Sequence, residues 1–159
     1  MSPLRLAPAA LLAASLVTTA VIAAPAGPFA ALTGSWSGSG TISFKDGHTE
    51  ALRCRADEAG GRGDTLQLTL RCASDSYKFE LSSDATSNGG EISGTWREAT
   101  RNVGGNLTGR ASGERIDIAA RSQNFAANLA LTTRGNKQVV SISAAGTEIS
   151  EVMLSLSRK

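Results

Sequence analysis

At 159 residues the chain is long enough for one domain with a core of its own, and a formal net charge of +2 sets it apart from dedicated nucleic-acid binders, which are usually far more basic. Aromatic residues make up only 4% of the chain, too few for the stacking platforms that hold bases or sugars. One histidine and two cysteines leave little from which to build Ser-His-Asp, Cys-His or multi-ligand metal chemistry, so the sequence predicts neither an enzyme nor a metal or cofactor site.

Residues 1–26 read as a secretory signal peptide. Arg5 precedes an apolar segment rich in Ala, Leu, Val and Thr, and small residues follow from Ala23 to Ala26. A membrane anchor is the competing reading, but the segment is only mildly apolar and a cleavage-type sequence follows it directly. No cysteine at the junction suggests a lipid anchor, and no later apolar run approaches membrane-spanning length. Loss of the leader would take Arg5 with it and leave the mature chain close to neutral. The expected location is periplasmic or secreted. Residues 27–33 read as a linker or a single helical turn, and 34–159 as one domain.

From Gly34 onward the pattern is strand, turn, strand, with no apolar period of 3.6 residues long enough for a helix. Turn signals recur about every ten residues, among them Asp46-Gly47, Gly60-Gly61-Arg62-Gly63, Asn88-Gly89-Gly90, Ser112-Gly113 and Gly135-Asn136. Between them, apolar residues alternate with Ser, Thr, Arg, Asn and Glu. The predicted inward set includes Trp36, Ile42, Phe44, Leu52, Leu68, Leu70, Phe79, Trp96, Leu107, Ile116, Phe125, Leu129, Val140, Val152 and Leu156. An antiparallel sheet with one wet face reads this way. Closure into an up-and-down β-barrel of about eight to ten strands removes open edges best, and a two-sheet sandwich is the alternative.

Cys54 and Cys72 share the inward parity of Leu52 and of Leu66, Leu68 and Leu70 on two arms of a predicted hairpin. Paired directly across a non-hydrogen-bonded position, their Cα atoms would be about 4.5 Å apart, within reach of a disulfide. Two buried free thiols are the alternative; the export signal favours the bridge. The same register places Arg55 opposite Arg71, with Arg53 two residues away. Facing like charges destabilise, so either nearby acids such as Glu80 offset them, or Arg53, Arg55 and Arg71 form a patch for an anionic envelope component such as a phosphorylated lipid head group.

His48, beside Asp46 and Glu50, reads as a solvated turn residue. Glu98 has inward parity beside Trp96 and reads as a paired carboxylate more readily than as an acid catalyst. Glycine and alanine also fall on the inner face, at Gly38, Gly40, Gly94, Gly109, Ala111, Ala120, Ala127 and Ala144. They either allow tight curvature around a filled interior or leave room for a ligand. In the second case Phe44, Leu68, Phe79, Trp96, Phe125 and Leu129 would line a cavity for a small apolar or amphipathic molecule. In the first, a filled barrel would act through its outer surface as an envelope structural or interaction protein.

Gly34-Ser35-Trp36-Ser37-Gly38-Ser39-Gly40 resembles the opening strand of lipocalins and related calycin barrels, and more closely that of nitrobindin-type ten-stranded barrels. In calycins a basic residue of the last strand covers the first-strand tryptophan; the resemblance implies that Arg158 stacks over Trp36 to close the barrel. Nitrobindin-type barrels hold haem through a late histidine. This chain has only His48, so the resemblance does not bring haem with it. The mature chain as a whole, with Arg53-Cys54-Arg55, Leu70 to Phe79 and Gly94 to Glu98, also resembles a group of small exported bacterial proteins of unknown function, which implies a compartment rather than an activity.

Overall fold

A computed structural model describes residues 26–159; the signal peptide read from the sequence lies almost entirely outside them. Ten antiparallel strands follow one another: β1 (Gly34–Phe44), β2 (Thr49–Ala59), β3 (Thr65–Ala73), β4 (Lys78–Asn88), β5 (Glu91–Glu98), β6 (Val103–Ser112), β7 (Arg115–Arg121), β8 (Ala126–Arg134), β9 (Lys137–Ala145) and β10 (Ile149–Arg158). Each pairs with its sequence neighbours, and β1 pairs with β10, so the sheet closes into an up-and-down barrel and not a sandwich. The alternation is the cause. With period-two apolar residues on every strand, one face must be buried, and closure buries it without leaving an edge.

The inward positions are those the parity predicts. Trp36, Ile42, Leu52, Leu70, Ile92, Trp96, Leu107, Ile116, Val152, Leu154 and Leu156 are all buried. The outside is polar, with Val103, Val139 and Met153 its exposed large apolar side chains. That is the inverse of a membrane-spanning barrel, which needs an apolar outer band. Among the described residues no helix is long and apolar enough to cross a membrane.

The inward glycines serve the wall rather than the space inside it. A Cβ on Gly38 would collide with the carbonyl of Ser155, and one on Gly40 with that of Met153, both on the neighbouring β10. The seam between first and last strands closes tightly because nothing projects from β1 at these two points.

Residues 27–33 are not a passive linker. They fold into two tight turns, with Ala30 N–H bonded to Gly27 O and Leu32 N–H to Phe29 O, and they press Phe29 and Leu32 into the barrel end, where both are buried. The β2–β3 hairpin tip holds this cap through Gly27 N–H to Arg62 O and Phe29 N–H to Gly63 O. Trp36 donates its indole N–H to Leu32 O at 2.7 Å. Arg158 donates to Ala31 O at 2.7 Å and to Thr33 O, and its guanidinium carbon lies 4.2 Å over the Trp36 ring. The closing pair implied by the first and last strands is therefore present, and it anchors the cap as well.

Candidate functional site

The capped end leaves the other end of the barrel open, and behind that mouth lies a chamber of about 740 Å³. Its wall is built from alternate residues of the strands. Leu68 of β3, Phe79 and Leu81 of β4, Trp96 of β5, Ile118 of β7 and Leu129 of β8 all face it. Phe125, just before β8, packs on Trp96 with ring centroids 5.1 Å apart. Room is left on the side of β7 to β9, where the wall carries Ala120, Ala127 and Ala144 in place of larger side chains. The alanines thus make space while Gly38 and Gly40 allow the seam to close.

Five of the six predicted lining residues border the chamber: Leu68, Phe79, Trp96, Phe125 and Leu129. Phe44 does not. It stacks on His48 at 4.1 Å and meets the edge of Tyr77 at 5.9 Å, which places it behind the rim. The alternation carries Phe44 to the inner side, but a bulge in β1 between Ser43 and Phe44, at the β1–β2 turn, puts it against Tyr77 and not the chamber.

The rim is made by the turns after β3, β5, β7 and β9. Glu98 organises one of them. Its carboxylate accepts backbone N–H bonds from Glu80 at 3.1 Å, Thr100 at 2.9 Å and Arg101 at 2.8 Å. Burial alone would raise its pKa, but these donors hold it below the usual carboxylate value. A carboxylate so used is a turn clamp and is poorly placed to act as an acid. Arg101, in the same turn, lies 4.0 Å over the Tyr77 ring and donates to Lys78 O at 3.2 Å. On the neighbouring turn, Glu50 accepts from the Ser74 and Ser76 hydroxyls and from Ser76 N–H; these bonds pull its pKa to about 2.

Glu58 lies at the capped end and is 7% exposed. It borders the chamber, and one carboxylate oxygen accepts Gln138 Nε2 at 2.9 Å. Burial pushes its pKa up to about 7, against the smaller opposing effects of the Gln138 hydrogen bond, Arg158 and Trp36. Leu52 and Cys54 mark the inward parity of β2 in the sequence. Glu58 shares that parity, and Gln138 shares that of Val140, so the signal was there to be extended.

Cys54 and Cys72 are joined by a disulfide across β2 and β3, their Cα atoms 4.2 Å apart in direct register. A bridge of this kind fits an oxidising environment. Arg55 does face Arg71 on the outside. Arg71 is offset by Glu80, with Nε to Oε2 at 3.2 Å, and no ion pair is found for Arg53 or Arg55 among the described residues. His48 lies 2.5 Å from Asp46 and 3.6 Å from Glu50 in an exposed turn. Among the described residues no cluster of three or more His, Cys, Asp or Glu could hold a metal ion.

Fold and site together define a class: a closed ten-stranded antiparallel barrel, capped at one end and open to an apolar chamber at the other. The barrel is similar to the crystal structure of Rv2717c from M. tuberculosis, with a TM-score of 0.65 over 82% of this chain and 94% of that one. The two are 12% identical in sequence, so the likeness is one of fold. No protein-family model and no curated protein matches the chain.

Proposed function

We propose that the protein is an exported, non-catalytic binding module that holds a small apolar or amphipathic molecule inside the barrel, in the periplasm or outside the cell. The chamber carries this reading. Its volume of about 740 Å³ lies within the usual range for small-molecule sites, and its lining is aliphatic and aromatic with a few polar groups at either end. Export is supported by the basic-then-apolar leader and by the disulfide. Native mass spectrometry of protein purified from its own compartment should show a co-purifying small molecule, and a fluorescent fatty acid should enter the barrel and be displaced by it. Repeated absence of both adduct and displacement would reject the container.

The alternative, an envelope protein working through its outer surface, draws on the exposed Arg53 and Arg55. Its anion patch is reduced because Arg71 is spent on Glu80. Charge reversal at Arg55 and Arg71 together should leave association with anionic vesicles unchanged if the container reading is correct.

A further inference from the structure

Three charged side chains border the chamber: Glu58, Glu98 and Arg101. Two have structural duties already. Glu98 clamps its turn through three backbone N–H groups, and Arg101 stacks on Tyr77 at the rim with Glu98 Oε2 3.7 Å away. Glu58 is different. It sits at the floor, where Gln138 Nε2 bonds one carboxylate oxygen at 2.9 Å and the Trp36 indole, whose N–H goes to Leu32 O, lies close by, and no backbone N–H clamps it as three clamp Glu98. Phe29, Leu32 and Leu66 border the floor with it, and a leucine at this position would fill it without the cost of burying an acid. Around Glu58 the polar groups are also short of partners. Gln138 is 1% exposed, yet its Oε1 is unbonded, as is Oγ1 of its register neighbour Thr133. Natural interiors rarely leave such groups unmatched.

We infer that Glu58 is the polar recognition point of the chamber, and that the ligand is an elongated apolar molecule with a hydroxyl group at its leading, innermost end. The inference rests on the container reading and adds the chemistry of what is contained. The hydroxyl donates to the second oxygen of Glu58 while the apolar body lies along Leu68, Trp96 and Leu129. A neutral donor fits better than an ammonium group because Arg158, stacked on Trp36 at the same end, already acts on Glu58 with its positive charge. A carboxylate would have to give up its hydration in the same apolar floor, a cost a hydroxyl does not carry. From the elements packed against Glu58, Gln138 of β9, Trp36 of β1 and Arg158 of β10 face it, and Arg158 is the charged one.

The test uses the full mature protein and displacement of Nile red, an apolar dye with no hydrogen-bond donor. Dodecanol should displace it about tenfold more tightly than dodecyl methyl ether, the fold-change expected for a hydrogen bond to a buried carboxyl group. That advantage should vanish in Glu58→Leu and persist, weakened, in Glu58→Gln, whose amide oxygen still accepts. A second measurement needs no variant: the carboxyl carbon resonance of Glu58 should shift on adding dodecanol and stay put on adding the ether. Equal binding of alcohol and ether, tighter binding of dodecylamine or dodecanoate, or a silent Glu58 resonance would overturn the inference while leaving the container standing. Failure of Nile red and of every alkyl probe to bind would overturn both.

Discussion

Glu58 and Glu50 pull the pH dependence of stability in opposite directions. Glu58 is harder to ionise folded than unfolded, so its contribution is intact below the unfolded value near 4.5 and is lost as pH rises toward 7. A shift of this size corresponds to about 3 kcal/mol. Glu50 behaves conversely: its serine hydrogen bonds stabilise the fold above the unfolded value and are lost as pH falls toward 2. Glu58→Gln should therefore raise stability by up to about 3 kcal/mol at pH values above 7 and change it little near pH 4, as read by chemical denaturation across that range. A variant whose gain is the same at both ends of the range would show that Glu58 is not held neutral by burial. Arg158 bears a different load: it ties β10 to the cap and covers Trp36. Arg158→Ala should cost about 2 kcal/mol through the lost stacking and carbonyl bonds.

At the scale of the element, three features hold the wall and its cap. The disulfide closes a short loop between β2 and β3, and replacing both cysteines by alanine should lower stability by about 3 kcal/mol without altering the strand register. Gly38→Ala should cost about 1–3 kcal/mol, since the added methyl group has only the β10 backbone to displace. Phe29→Ala should cost about 3–5 kcal/mol and loosen the capped end, visible as faster amide exchange in residues 27–33. The strands and the cysteine pair were readable from residue order because a period of two has a single consequence when one face must be dry. The cap was not. Phe29 and Leu32 are only an i, i+3 pair in a seven-residue stretch, and nothing local says that a barrel end lies within reach. The sequence left the inward glycines between two duties, curvature or room for a ligand, because the choice depends on which strand lies next to which: Gly38 and Gly40 gain their meaning from β10, more than a hundred residues away.

For the molecule as a whole, the decisive property is the division between a sealed end and an open one. Filling the chamber should separate fold from function: Ala120→Trp, on the spacious side of the wall, should abolish dye binding while the circular-dichroism spectrum stays that of the parent barrel. The location of the chamber could not be read beforehand. Alternation says which side chains point inward, but the volume left over depends on barrel diameter, on the alanines of β7 to β9 clustering on one side, and on how far the cap intrudes.

The pairing of β1 with β10 has a kinetic corollary. Nine of the ten strand pairings join neighbours in sequence and can form as successive hairpins, whereas this one must wait for the chain to come full circle. Until it does, two long edges stand unpaired and can be captured by another chain. Assembly in dilute solution should thus outperform assembly at high concentration, and lesions such as Gly38→Ala should act mainly by hastening unfolding, because the contact they damage is among the last to be made.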